Sequence, residues 1–136
     1  MKKLIVVIFL IFMAENFAQV SVIVNKSVSE SSVNSSKLSS IYSLSQTKWS
    51  DGSKIVVFDQ SSDNDQKASF YKFIAKEPQA LKKEWLKKQF SGEAKAPESL
   101  SSDDDVLKKV ASTSGAIGYV KSSSVNGTVK VLQEIK

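Results

Sequence analysis

Four consecutive apolar residues, Ile55-Val56-Val57-Phe58, stand between an Asp51-Gly52 turn and the polar run at residues 60–65. Successive side chains of a strand point to opposite faces, so an unbroken apolar run needs cover on both sides of its sheet. That excludes a lone antiparallel sheet with one wet face. It demands helices packed above and below, and the rest of the sequence supplies them.

Residues 20–25, Val-Ser-Val-Ile-Val-Asn, alternate and are rich in β-branched side chains, which predicts a first strand. After a Ser-rich loop, a short helix is expected over 36–44, with Leu38, Ile41 and Tyr42 on one face. A second is expected over 65–75, striped by Phe70, Phe73 and Ile74. Pro78 suits the first turn of a third, where its missing N–H would be unpaired anyway; this helix pairs Leu81 with Trp85 and Leu86 with Phe90 before Gly92. Residues 93–100 read as a Pro-containing connection. Ser101-Ser102-Asp103-Asp104-Asp105 reads as a helix start, a hydroxyl cap followed by carboxylates that the helix dipole favours. A strand over 116–120, a hairpin turn at Asn126-Gly127 and a last strand over 128–132 complete the order β-α-β-α-α-α-β-β. The fold class predicted is an α/β domain with a mixed, mostly parallel sheet and flanking helices. Trp49, Phe58, Phe70, Trp85, Phe90, Ile117 and Val131 are its expected core.

The start of the chain reads as an address. Met1-Lys2-Lys3 precedes an apolar run over 4–13, and Ala18 is a small residue suited to precede a cut. The run is shorter than the roughly 20 residues that a membrane span needs. Residues 1–18 are therefore expected to be a signal peptide, with a cut after Ala14 as the alternative, and 19–136 a single domain exported to a periplasm. Removing the leader leaves 17 lysines against 13 acidic residues, a modest excess of positive charge.

Composition closes off several function classes. The chain has no Cys and no His, so it lacks thiolate and imidazole metal sites, Cys nucleophiles and His-based triads. All 19 basic residues are lysines, without the Arg-rich stripe and interleaved aromatics that nucleic acid requires, so no nucleic-acid partner is expected. Ser45–Lys48 and Ser69–Lys72 match Ser-x-x-Lys, and Ser62-Asp63-Asn64 spells another hydrolase motif, but a Ser- and Lys-rich chain produces such matches by chance. Adjacent carboxylates at 103–105 point in different directions and converge poorly on one ion. No enzyme activity, cofactor or metal is expected.

One resemblance goes further. Val22-Ile23-Val24-Asn25-Lys26, then Leu38, Ile41 and Tyr42, then Lys48-Trp49-Ser50-Asp51-Gly52-Ser53-Lys54-Ile55 stand in a fixed order. Phe70-Tyr71, Phe90-Ser91-Gly92, Pro97, Ser101-Ser102-Asp103 and Gly115-Ala116-Ile117-Gly118-Tyr119-Val120 follow. Across nearly all of 20–133 this resembles the phosphate-type periplasmic substrate-binding proteins, in their short single-lobe form. The resemblance implies a lobe that binds phosphate or a similar oxyanion for ABC-type uptake or sensing. Its partners would be a membrane transporter or sensor, or a second copy that completes the site.

The ligand wall implied is Gln60, Ser61, Ser62, Asn64 and Lys67, where hydroxyls and the N–H groups of a helix start would hold the anion. The family's Ser-Gly-Thr is absent from this loop, and Lys67 stands where the short members carry Arg. Asp63 and Asp65 would repel a dianion. The alternative is an accessory or interaction protein that kept the lobe fold and lost its pocket.

Overall fold

A computed structural model describes residues 19–136; the expected leader lies outside the described residues. In order, the elements are β1 (Val20–Val24), α1 (Ser35–Tyr42), β2 (Val56–Gln60), α2 (Asp65–Phe73), α3 (Pro78–Phe90), β3 (Glu98–Leu100), α4 (Asp103–Ser112), β4 (Ala116–Lys121) and β5 (Lys130–Ile135). They form a mixed five-stranded sheet in the order β3-β2-β4-β1-β5. β2 is parallel to β3 and β4, whereas β1 runs antiparallel to β4 and β5. Four of the five strands therefore share one direction. This is the α/β architecture expected.

Strand alternation builds a core on each face, as the apolar run in β2 requires. Val22, Val24, Val57, Ile117 and Tyr119 face one cluster, with Leu38, Ile41 and Tyr42 of α1, Phe70 of α2, and Leu81 and Trp85 of α3. Ile23, Phe58, Ala116 and Val120 face the other, with Val106, Leu107 and Val110 of α4. Gly118 allows α4 to lie close. A Cβ there would meet Val106 Cγ1 at 2.7 Å and Val110 Cγ2 at 3.2 Å. The helix starts are locally determined: Asn34, Asn64 and Ser102 each cap with a side-chain oxygen, accepting from the N–H of Lys37, Lys67 and Asp105.

Three expectations fail. The Asn126-Gly127 turn does not close a hairpin, because β1 lies between β4 and β5 and pairs with both. The chain instead recrosses on the α4 side, where Val125 and Val129 pack, and the last strand begins at Lys130 rather than 128. The turn residues do bend the chain, with Asn126 Oδ1 accepting from the Thr128 N–H at 3.0 Å. Second, the connection 93–100 contains β3, a strand without a β-rich pattern that forms by completing the edge of β2. Third, Phe90 and Leu86 face solvent, Phe90 being 88% exposed, because α3 is anchored by Leu81 and Trp85 on its other side. Val131 is only half-buried, while Trp49, Phe58, Phe70, Trp85 and Ile117 are buried as expected.

Candidate functional site

The five residues singled out from the sequence gather at the C-terminal end of β2 and the first turn of α2. The structure gives them different environments. Ser61 and Ser62 are exposed, and their hydroxyls make only long bonds to backbone carbonyls, at 3.3 Å to Leu100 and 3.4 Å to Ser101. They can turn toward a ligand at little cost. Asn64 is committed. Its Oδ1 accepts from the Lys67 N–H at 2.9 Å, and its Nδ2 donates to Gln60 Oε1 at 2.8 Å.

Gln60 is 1% exposed and equally committed. Its Nε2 donates to the Tyr119 carbonyl at 2.8 Å and to Asp103 Oδ1 at 2.9 Å. Lys67 is not an outlying charge above the loop. It is 5% exposed, with Nζ 5.7 Å from the centre of the Tyr71 ring, a cation–π contact.

In sequence Asp103 reads as a helix-start carboxylate; in the fold it also organises the site. From the first turn of α4 its Oδ1 accepts from Gln60 Nε2 and, at 3.1 Å, from Gln66 Nε2. Its Oδ2 accepts from the Lys121 N–H at 3.0 Å and from the Ser124 hydroxyl at 2.9 Å. A carboxylate with four donors already occupies the niche where β2, β4, α2 and α4 meet. Gln66 is buried beside it, and its Oε1 has no hydrogen-bond partner. The run of three acidic residues at 103–105 is the local signal for this carboxylate, and a helix start accounts for that run equally well.

Beneath the turn lies a buried network that the sequence reading did not assign. Asp59, 1% exposed, accepts from the Tyr119 hydroxyl at 2.6 Å and the Tyr71 hydroxyl at 2.8 Å. The Tyr119 oxygen in turn accepts from the Gln60 N–H at 3.3 Å. Phe70 stacks on the Tyr119 ring at 4.0 Å between centroids, and Tyr42 donates to the Phe58 carbonyl at 2.9 Å. After Val57, β2 and β4 no longer pair as a ladder, and these hydroxyls and the Gln60 amide take over the backbone groups.

Burial, reinforced by the negative charge of Asp59, holds the hydroxyls of Tyr42, Tyr71 and Tyr119 well above the ordinary tyrosine value. The folded state therefore favours neutral tyrosine. That stabilisation is fully present below a pH of about 10 and is lost as pH rises beyond it, where only the unfolded chain releases the protons. These are the chain's three tyrosines. Alkaline titration should accordingly show no tyrosinate absorbance from the native protein at a pH of about 11, with all of it appearing in the unfolding transition. Absorbance rising while the protein remains folded would contradict the network.

A groove of about 560 Å³ lies elsewhere, along the first half of β2, between Ile55 and Val57 on one side and Lys95 to Glu98 on the other. It contains none of the five residues. Among the described residues no helix is long and apolar enough to cross a membrane, and no group of acidic side chains could hold a metal ion.

No protein-family model matches the chain, and no curated protein matches it. Solved structures do match in fold. An ABC-type phosphate transport receptor from Vibrio cholerae superposes with a TM-score of 0.67 at 19% identity, over 86% of this chain and 47% of that one. A phosphate-bound putative phosphate ABC transporter substrate-binding protein from Clostridium perfringens gives 0.66 at 18% identity, over 86% and 46%. PstS from Borrelia burgdorferi gives 0.62 at 17% identity, over 85% and 47%. The chain spans about half the length of these proteins, and so it has the fold of one lobe of a phosphate-receptor-like binding protein.

Proposed function

We propose that this chain is an exported, periplasmic binding-protein-like module that takes phosphate or a similar oxyanion at the turn joining β2 to α2, for ABC-type uptake or sensing. The observation that carries this reading is the state of Ser61 and Ser62. Both hydroxyls are exposed and weakly held, directly ahead of the N-terminal turn of an α-helix. Such a turn offers backbone donors and a favourable dipole to an anion. With one lobe only, the anion keeps part of its hydration, so affinity is lower than in a closed site. A transporter, a sensor or a second copy would supply the opposite wall.

Lys67 contributes through a buried charge, so the salt dependence of binding should be shallower than that of an exposed lysine. Calorimetric titration of residues 19–136 with phosphate, then with sulfate, is expected to give saturable heat and a rise in melting temperature. Ser62→Ala should weaken binding by about tenfold or more, the loss of one hydrogen bond to an ion. No heat and no melting shift at millimolar anion would remove this reading.

A second reading has its own observation. The Asp103 carboxylate already collects four donors in the adjacent niche, as an internal anion would in a lobe that no longer needs a ligand. On that reading the chain is an accessory module, and the titrations are flat for the parent protein and the variant alike.

A further inference from the structure

We propose that the outer face of α3 docks this protein on anionic phospholipid bilayers. This goes beyond the oxyanion reading and shares no residue with the turn at 61–66. Helix α3 is fixed from within: Leu81 and Trp85 are buried, and Trp85 Nε1 donates to the Tyr42 carbonyl at 2.6 Å. Its exposed side chains from Lys82 onward are Lys82, Lys83, Leu86, Lys87, Gln89 and Phe90. None is acidic. Glu84 is half-buried and turned to Lys76 at 4.0 Å, and Lys88 is spent on the Ser43 carbonyl. The face therefore presents two apolar side chains one turn apart, 51% and 88% exposed, flanked by the ammonium groups of Lys82, Lys83 and Lys87, of which Lys87 shares a surface depression with Glu84 and Glu93.

Charge and composition select the occupant. A second copy is disfavoured, since a symmetric contact would set lysines against lysines, and two apolar side chains fall far short of the roughly 800 Å² that each partner of a stable pair buries. Protein interfaces in general are depleted in Lys and favour Arg, which this chain lacks. An anionic bilayer requires neither. Each lysine held near its surface adds attraction, while Phe and Leu enter the boundary between headgroups and acyl chains. The lysine stems reach past the apolar pair and keep their charges in the headgroup layer.

The chain has no Cys, so Phe90→Cys gives one labelling point for an environment-sensitive fluorophore, with Asn126→Cys on an exposed turn as control. With vesicles of equal parts phosphatidylglycerol and phosphatidylcholine at low salt, the label at 90 should brighten and shift blue while the label at 126 does not. Phosphatidylcholine alone should bind far less, and salt of about 0.5 M should release most of the protein. In sedimentation without label, Phe90→Ser should weaken partition about tenfold. Joint Lys82→Gln, Lys83→Gln and Lys87→Gln should weaken it about 100-fold. All these positions are exposed, and unchanged melting would show that the variants remain folded. Unmodified protein that fails to sediment with the anionic vesicles would overturn the proposal and leave this face to an acidic protein surface. Sedimentation with no change at the label on 90 would overturn it too, by placing the contact elsewhere.

Discussion

Replacing Ile117 with Asp should leave the protein largely unfolded at room temperature. Ile117 is 0% exposed in β4, paired with Val24 of β1 on one side and Val57 of β2 on the other. Its side chain enters the cluster under α1, α2 and α3. A carboxylate placed among these apolar side chains must either desolvate or take up a proton, at a cost of several kcal/mol. That is comparable to the whole margin of a domain of this size, about 5–15 kcal/mol. Circular dichroism and thermal melting check it. Ile117→Val, which keeps the surface apolar, should cost only about 1 kcal/mol. If the Asp variant melts with the parent protein, β4 is wrongly placed.

The second large effect is expected at Gly115, the residue before β4. Its φ of +76° lies in the left-handed region, where a side chain costs about 1–2 kcal/mol. Space is a harder limit. A Cβ would stand 2.2 Å from the Lys54 carbonyl oxygen, a contact that only backbone movement could relieve. The same residue links three segments: its carbonyl accepts from Trp49 Nε1 at 2.9 Å and from the Val56 N–H at 3.2 Å, and its N–H donates to Ser27 Oγ at 3.0 Å. Gly115→Ala should therefore lower stability by about 3 kcal/mol or more, read as a drop in melting temperature. Gly127→Ala, at an exposed turn where a Cβ meets nothing, should be nearly silent. Equal effects at the two glycines would reject the close approach of the Gly115 turn to Lys54.

The two glycines also show what kind of knowledge is local. Gly127 reads as a turn residue from its neighbour Asn126 alone, whereas only the structure shows a carbonyl 61 positions away in sequence pressing on Gly115. The site divides in the same way. That Ser61 and Ser62 precede a helix start was legible, because the apolar stripe of Phe70, Phe73 and Ile74 follows the polar run that holds them. That Gln60 and Asn64 would be bound to each other was not, nor that Lys67 would be buried against Tyr71.

The positions of the helices, the run that must be covered on both faces and the identity of most of the core are written in neighbouring residues. Those features depend on residues a few positions apart, through capping and the periods of strand and helix. The strand order is not written there, since it comes from long-range pairing that places β1 between β4 and β5 and so prevents the hairpin that Asn126-Gly127 suggests. Long-range contacts likewise decide that Glu98–Leu100 completes an edge, that Phe90 faces water, and that Asp103 meets Gln60 and Gln66. All four have one cause. A side chain's own pattern states which faces it can occupy, but its partner is whichever surface the remote chain brings within a few ångströms, and no short-range signal encodes that distance.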